Sequence, residues 1–336
     1  MVAGIGVAPV DLLTLRQQVG QVIVLAFRGQ AEPAYLDRVL REGRAAGVIL
    51  FRANAGSPAQ LRRLTRELAR SSAGSSLIAV DQEGGAIRTV GWAGPVPPQP
   101  DQDDPEASAR SAALELRRVG VNVTLGPVAD LGIGSALAGR AFAGPPAEVA
   151  SATSRAVVGY RGTGVAAAAK HFPGLGRANG ATTDDTSVTV PASRADLAID
   201  LAPFRAAIAA GVPMIMASHA RFPAFDGSHI ASQSPAILQG LLRRQLGFTG
   251  VVVTDSLEAE AVTRTGSLEH AARASLRAGC DLLLTTGPGS YRRVYAALLA
   301  TARRDAVMRS RIREAAARVL RLKRRIGLRA PSVSKT

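Results

Sequence analysis

Residues 166–174 read AAAAKHFPG, a run of small apolar residues that stops at two titratable side chains. The alanines Ala166–Ala169 can be buried on both faces, as in a parallel sheet that is covered by helices. Packing alone does not explain why such a strand ends on Lys170 and His171. The pattern predicts a buried parallel strand whose carboxyl end carries functional groups.

Other apolar segments share this character and alternate with stretches of helical spacing. The predicted strands are Gln21–Ala26, Gly47–Phe51, Leu77–Val80, Val121–Leu125, Val165–Ala169, Met214–Ala217, Val251–Thr254 and Asp281–Thr285. The predicted helices are Leu36–Arg44, Pro58–Ala69, Pro105–Val119, Ala147–Tyr160, Leu201–Ala210, Pro235–Leu246, Leu268–Ala278, Ser290–Arg303 and, after a cap at Ser310, Arg311–Ile326. Such alternation indicates a parallel sheet, and eight units favour a closed barrel over an open sheet. We predict an α/β fold: one single-domain (β/α)8 TIM-type barrel over residues 1–328, then a disordered tail at 329–336.

The composition sets the class of protein. The chain has 336 residues, of which 47% are hydrophobic, enough for one large barrel. It has no apolar run of about 18 residues or more, so no integral membrane segment is predicted. Met1–Val10 lacks the features of a signal peptide, which predicts a cytoplasmic location for the chain as it stands, or a cell-surface or secreted one if a leader was removed. Cys280 is the only cysteine, which excludes an internal disulfide. Nothing marks an interface, so a monomer is expected.

The formal charge of +15 raises the question of a nucleic-acid partner. The lysines are only Lys170, Lys323 and Lys335, and the remaining positive charge is arginine scattered along predicted helices without interleaved aromatic residues. We therefore predict no nucleic-acid partner. A coding bias toward arginine and alanine is the favoured explanation, and attraction to an anionic polymer such as cell wall is the looser alternative.

Polar residues follow several predicted strands. They are Asp81-Gln82-Glu83-Gly84-Gly85 after the third, Pro127-Val128-Ala129-Asp130 after the fourth, Ser218-His219 after the sixth and Asp255-Ser256 after the seventh. In a (β/α)8 barrel these positions all face the C-terminal mouth, where catalytic groups lie. The sequence predicts one active site there without reference to any family.

The residue types suggest carbohydrate chemistry, with an alternative for each. Asp255 suits a nucleophile toward an anomeric carbon, or it caps the next helix. The narrow, cationic side chain of Lys170 is suited to binding substrate hydroxyls. The alternatives are a lysine that forms a Schiff base and a lysine in a buried ion pair. Asp81 either binds sugar hydroxyls or anchors the double-glycine loop. His219 either lines the site or is a hydrogen-bonded rim residue.

No metal and no cofactor are predicted. The chain has no HExxH motif, no cysteine pair and no close histidine cluster. Gly84-Gly85 and Gly287-Pro288-Gly289 are too short for dinucleotide-binding motifs, and they indicate turns.

Three motifs carry a resemblance to a known family. Val80–Gly85, Lys170–Gly174 and Val252–Leu257 resemble hallmark motifs of glycoside hydrolase family 3, most closely in its single-domain β-N-acetylhexosaminidases of bacterial peptidoglycan recycling and turnover. The segments that also fit are Leu12–Gln21, Gly47–Phe51, Met216–His219, Leu246–Phe248, Ala278–Leu283 and Ala317–Lys323. The resemblance covers nearly the whole chain.

This resemblance implies a role for several of the residues. Asp255 would be the nucleophile of a retaining exo-glycosidase, with a terminal β-linked N-acetylglucosamine-type sugar as substrate. Asp81, Lys170 and His171 would hold the first sugar. Arg140, in Gly139-Arg140-Ala141-Phe142, would be the substrate-binding arginine.

The chain departs from the family pattern at the acid/base. The hexosaminidases continue the lysine–histidine motif as Gly-His-Gly and then Asp-Ser-His, whose Asp-His pair is their acid/base. Leu175 stands in place of the first histidine, and Asp184-Asp185-Thr186-Ser187 is the nearest counterpart of the second segment. Asp185 or Asp184 is thus the candidate acid/base, which requires a raised pKa. The arginine expected after the double glycine is matched only by Arg88, from a shifted position.

Three functions remain open. A retaining exo-glycosidase with a replaced acid/base is the leading hypothesis. A sugar-binding or regulatory protein that has lost catalysis fits the missing histidine, although the retention of Asp255, Lys170, His171 and Asp81 argues against it. A glycoside phosphorylase is the third, because phosphate makes a protein acid less necessary.

Overall fold

The structure is a computed structural model that describes residues 10–134, 137, 139–178 and 186–332. Its strands are β1 (Ile23–Ala26), β2 (Gly47–Leu50), β3 (Leu77–Val80), β4 (Gln82–Gly84), β5 (Ile87–Arg88), β6 (Val123–Thr124), β7 (Ala166–Phe172), β8 (Met214–Ala217), β9 (Arg221–Phe222), β10 (Asp226–Ile230), β11 (Val251–Ser256) and β12 (Leu282–Thr285).

The helices surround these strands. They are α1 (Leu15–Gly20), α2 (Ala34–Arg41), α3 (Pro58–Ser71), α4 (Pro105–Arg118), α5 (Pro146–Tyr160), α6 (Arg194–Asp200), α7 (Ala202–Ala209), α8 (Glu260–Thr263), α9 (Leu268–Ala278), α10 (Ser290–Arg304) and α11 (Ala306–Arg325). A π-helix spans Ala236–Gln245, and short 3-10 helices span Val10–Leu12, Arg52–Asn54, Gln99–Asp101 and Ala231–Gln233.

Parallel strands close into a barrel in the order β1-β12-β11-β8-β7-β6-β3-β2. The ring closes where Ile23 of β1 pairs with Leu283 of β12. Two short antiparallel hairpins, β4–β5 and β9–β10, lie outside the ring. The predicted single-domain (β/α)8 barrel is confirmed.

The barrel interior is filled by alternate residues of each strand. This inner cluster includes Val24, Ile49, Leu77, Ala79, Val123, Ala166, Ala168, Met214, Met216, Val251, Val253, Leu282 and Leu284. Side chains two residues apart on a strand point to the same face. Continuing the series along β3, β7 and β11 therefore brings Asp81, Lys170 and Asp255 to the inner face of the mouth.

Two of the strands that carry the site are longer than the apolar pattern predicts. β7 continues to Phe172 instead of ending at Ala169, and β11 continues to Ser256 instead of Thr254. The reason is the backbone ladder, which persists where the side chains turn polar: the Lys170 N–H donates to the Pro127 carbonyl. Lys170, His171 and Asp255 therefore stand on strands and not on loops.

Other boundaries also differ from the predictions. β1, β6 and β12 are shorter than predicted, and α6 precedes the predicted helix at 201–210. The last helix begins at Ala306, not Arg311, because the Asp305 carboxylate caps it by accepting from the Met308 N–H. The segment predicted as an ordinary helix at 235–246 is a π-helix.

Helix α11 lies across the end of the barrel that is opposite the mouth. Its Val319, Leu322 and Ile326 belong to the same apolar cluster as the inward-facing strand residues. Lys323 is buried there, and its ammonium donates to Gln21 Oε1 at 2.6 Å. Burial lowers the pKa of Lys323 to about 7. We call this end the closed end.

The segment after α11 attaches to the closed end. The Arg329 N–H donates to the Gly74 carbonyl, and Gln17 Nε2 donates to the Ser332 carbonyl. Residues 329–332, the described half of the predicted tail, are therefore bonded to the barrel, and 333–336 lie outside the described residues. The domain boundary at 328 stays a prediction. Across the described chain, none of the helices combines the length and the apolar character needed to span a bilayer.

Candidate active site

A buried ammonium group lies at the centre of the mouth. Lys170 Nζ is 2.8 Å from Asp81 Oδ1 and 2.6 Å from Glu83 Oε1, and its side chain is 3% exposed. Burial acts to lower the pKa of Lys170, but Asp81 and Glu83 together outweigh it and raise this pKa above its usual value. The geometry favours a fixed cation in an ion pair over a Schiff-base amine, which must be neutral to react.

Glu83 joins Lys170 to Arg140. Its Oε2 is 2.9 Å from Arg140 Nε, and its Oε1 is 2.7 Å from Arg140 Nη2, a bidentate pair. Burial acts to raise the pKa of Glu83, but Lys170 and Arg140 outweigh it and lower the pKa to about 2. Glu83 is therefore ionised at neutral pH and fixes both cations.

Sequence reasoning assigned no role to Glu83. The signal was available, because Glu83 stands two residues after Asp81 and so faces the same side of an extended chain. What remains free for a ligand is the outer part of this network. The Asp81 side chain is 28% exposed and that of Arg140 is 25% exposed, whereas Glu83 is 3% exposed.

A second buried carboxylate orients His171. Asp130 Oδ2 is 2.8 Å from His171 Nδ1 and also accepts from the His171 backbone N–H at 3.0 Å. Its Oδ1 accepts from the Leu175 N–H at 2.6 Å. A carboxylate oxygen that already accepts from a backbone N–H is best matched by a ring N–H, so the hydrogen bond to Asp130 orients the imidazole of His171 through Nδ1. The sequence shows Asp130 as a polar residue after the fourth predicted strand, but the pattern assigns it no function.

Asp255 ends the inward-facing series of β11. Its Oδ1 accepts from the Ser256 N–H at 2.8 Å. Burial acts to raise the pKa of Asp255, but electrostatic interactions with the neighbouring His171, His219 and Lys170 side chains outweigh it, so this pKa lies below its usual value. The carboxylate is ionised at neutral pH, as a nucleophile requires. The alternative of a helix cap is wrong, since α8 begins at Glu260 with Ala259 at its cap position.

His219 stands one residue past the inward-facing position 218. Nε2 lies 3.0 Å from the Ser256 carbonyl oxygen, and Nδ1 lies 2.7 Å from Ser232 Oγ. Burial lowers the pKa of His219, which favours the neutral ring. A carbonyl only accepts, so Nε2 carries the proton and Nδ1 accepts from the hydroxyl. Both nitrogens are occupied within the protein; the geometry favours the rim-residue alternative, and sugar contact stays a prediction.

Arg88 braces the loop after β4. Its Nε donates to the Gly85 carbonyl at 3.0 Å, and its Nη1 donates to the Gly91 carbonyl at 3.1 Å. Gly84 has φ +114°, and a Cβ there would overlap the Pro97 carbonyl oxygen, so the turn requires glycine. Arg88 is thus tied to the double-glycine loop, and its predicted contact with substrate stays a prediction.

The remaining candidates concern acid/base chemistry. Leu175 is buried in the apolar core at 4% exposure and carries no ionisable group. Asp184 and Asp185 lie outside the described residues. Within the described part of the chain, no group of three or more His, Cys, Asp or Glu side chains is placed to hold a metal ion.

Fold and site together define the class of protein. A (β/α)8 barrel holds an ionised carboxylate at its mouth, beside a network of charged groups that is suited to sugar hydroxyls. This is the arrangement of a barrel glycosidase.

Comparison with known proteins gives the family. The Glycosyl hydrolase family 3 N terminal domain matches residues 14–322. A beta-hexosaminidase of Stenotrophomonas maltophilia is 36% identical over 264 residues, which are 74% of this chain and 78% of that protein. The chain belongs to glycosyl hydrolase family 3, and it is a glycoside hydrolase.

Solved structures agree with this assignment. A family 3 beta-N-acetylglucosaminidase from Paenibacillus sp. has a TM-score of 0.89 at 33% identity, over 96% of this chain and 65% of that one. A beta-N-acetylhexosaminidase from Beutenbergia cavernae has a TM-score of 0.84 at 32% identity, over 93% of this chain and 98% of that one.

Proposed function

We propose that the protein is a retaining exo-glycosidase that removes terminal β-linked N-acetylglucosamine-type sugars, with Asp255 as nucleophile. The observation that carries the proposal is the ionised Asp255 carboxylate at the end of β11, close enough to the His171 and Lys170 side chains for them to lower its pKa. The similar proteins named β-hexosaminidase and β-N-acetylglucosaminidase support the sugar class.

The reaction would proceed by double displacement. One Asp255 carboxylate oxygen attacks the anomeric carbon as the bond to the leaving oxygen breaks, and that oxygen takes a proton from a general acid. Water then attacks the same carbon, releases Asp255 and returns a proton to the conjugate base, so the configuration is retained. Asp81, Lys170, His171 and Arg140 would bind the hydroxyls of the terminal sugar.

The acid/base in this proposal is Asp185 or Asp184. Leu175 is apolar and buried where the family motif has histidine, so the proton must come from elsewhere. An aspartate can serve only if its pKa is raised, by desolvation or by the charge of Asp255. General acid catalysis contributes roughly 10²–10⁴-fold in rate, and substrates with good leaving groups need little of it.

The apolar Leu175 also favours two alternative functions, because neither of them requires a protein acid. Without a protein acid, a glycoside phosphorylase would use phosphate in place of water, and its product formation would depend on phosphate. A sugar-binding or regulatory protein of the same fold would bind N-acetylglucosamine without turnover, which calorimetry would show.

The test is hydrolysis of 4-nitrophenyl N-acetyl-β-glucosaminide and of the β-glucoside across pH. We expect wild-type turnover on the former, its loss in Asp255→Asn, and wild-type rates in the control Asp103→Asn, at an exposed turn position before α4. Asp185→Ala and Asp184→Ala should lose most with poor leaving groups. If Asp255→Asn retains wild-type turnover, Asp255 is not the nucleophile.

A further inference from the structure

The positive charge of the chain is concentrated at the closed end of the barrel. Barrel helices run antiparallel to the strands, so their C-terminal turns lie opposite the mouth. Arginines occupy the last turns of seven helices: Arg38 and Arg41 of α2, Arg70 of α3, Arg117 and Arg118 of α4, Arg243 and Arg244 of the π-helix, Arg277 of α9, Arg303 and Arg304 of α10, and Arg324 and Arg325 of α11. Arg329 follows at the same end, where its backbone bonds to Gly74.

Most of these guanidinium groups are free. Within the described residues, the exposed arginines of this end that make no side-chain hydrogen bond or ion pair include Arg38, Arg70, Arg117, Arg118, Arg244, Arg303, Arg304, Arg321, Arg324 and Arg329. Two carboxylates of this end, Asp305 and Glu314, are paired with Arg277 and Arg318. They therefore do not offset the charge of the free arginines.

The mouth end has the opposite bias. The acidic residues in first turns include Glu106, Glu148, Asp196, Glu260 and Glu269. Cations at helix C-termini complement the helix dipole, which accounts for some arginine at each end. The consecutive pairs on α4 and α10, and the free Arg321 one turn inside α11, go beyond what that effect requires.

The outer face of α11 adds an apolar contact to this surface. Val319 and Leu322 face the barrel, whereas Arg321 and Arg324 are exposed. At the start of the same helix, Val307 is 77% exposed. An exposed apolar side chain beside basic ones adds apolar area that a lipid surface can bury, which supplements electrostatic attraction to anionic lipids.

We propose that the closed end of the barrel binds the surface of an anionic phospholipid bilayer. The free arginines come from several helices and spread over the whole end, so they fit an extended plane better than a groove. Guanidinium groups bind phosphate oxygens in pairs. Docked this way, the mouth faces away from the lipid and stays open to substrate. The proposal does not depend on which sugar is cleaved.

The structure disfavours single-stranded nucleic acid as the occupant. Single strands are bound by aromatic side chains on which bases stack. The exposed aromatic residues Tyr35, Phe51 and Trp92 lie at the first turn of α2, directly after β2 and in the loop after β5, all at the mouth end. In the described chain, the exposed large apolar residues do not place an aromatic among the free arginines of the closed end.

The test compares two triple variants of equal charge. Arg304→Gln with Arg321→Gln and Arg324→Gln removes charge from the closed end. The control, Arg62→Gln with Arg63→Gln and Arg292→Gln, removes the same charge from exposed positions on the mouth-side halves of α3 and α10. Co-sedimentation is measured with phosphatidylcholine vesicles and with vesicles that are one-third phosphatidylglycerol, at rising sodium chloride. Turnover of the aryl glycoside reports that each variant is folded.

Each basic residue near an anionic surface contributes about five-fold in partitioning, so the closed-end variant should bind roughly a hundred-fold more weakly. The wild type and the control variant should bind the anionic vesicles and dissociate from them at high salt. They should not bind vesicles of pure phosphatidylcholine. Absence of wild-type binding to anionic vesicles would overturn the proposal, and so would equal losses in both variants. Tighter binding to DNA than to vesicles at equal phosphate concentration would overturn it in favour of nucleic acid.

Discussion

Replacing Glu83 by glutamine should destabilise the protein far more than a surface charge change does. Glu83→Gln keeps the size of the side chain but removes the charge that pairs with Lys170 and Arg140 at 2.6 and 2.7 Å. Lys170 would then keep one carboxylate, that of Asp81, and the guanidinium of Arg140 would lose its bidentate partner.

The magnitude follows from the pKa of Glu83. The folded protein lowers it from 4.5 to about 2, which corresponds to about 3 kcal/mol of preference for the ionised form. Breaking a buried pair by removing one partner typically costs 3–5 kcal/mol, which agrees. We expect the free energy of unfolding at pH 7 to fall by about 3 kcal/mol.

The pH dependence gives a second readout. Because the folded pKa is lowered, the contribution of Glu83 is complete above pH 4.5 and is lost as the pH falls toward 2. The difference between wild type and Glu83→Gln should therefore shrink over that interval.

Urea unfolding followed by circular dichroism measures the effect at several pH values. The matched control is Glu148→Gln, at an exposed position in the first turn of α5. It should change stability by less than about 1 kcal/mol. A loss of that small size in Glu83→Gln, or a difference that does not depend on pH, would refute the reasoning.

Three further predictions concern other buried groups. Asp130→Asn should lower kcat/KM by roughly 10–100-fold, as loss of an orienting partner does, because His171 loses the carboxylate that fixes its ring; unchanged kinetics would show that the ring is held otherwise. The pKa of Asp255 is lowered, so the fall of kcat/KM for the aryl glycoside that protonation of Asp255 causes should occur below pH 3.8. A fall above that pH that depends on Asp255 would contradict this prediction. Lys323→Met should abolish a rise in unfolding free energy between pH 7 and 10.5, where the unfolded lysine binds the proton that the folded one has lost; a variant that keeps this rise would show that Lys323 is not its source.

The sequence can predict where a site would lie because the pattern is local. Each strand is an apolar run that ends on polar residues, and in a barrel all such ends meet at one mouth. The extent of β7 and β11 could not be read from hydrophobicity, because their last residues are polar and are held by backbone hydrogen bonds to neighbouring strands. The start of α11 differs from the predicted Arg311 because Asp305, and not Ser310, caps the helix.

The sequence by itself determined the barrel, its family and the residue types at its mouth, because period-two and helical patterns and strand-end motifs are written along the chain. Only the tertiary structure decided which of those groups act on one another. Glu83 joins Lys170 and Arg140, and Asp130 takes His171, through contacts between residues far apart in sequence. Ionisation depends on distance and burial in three dimensions, so the charge state of the site emerges only once the strands are closed into a ring.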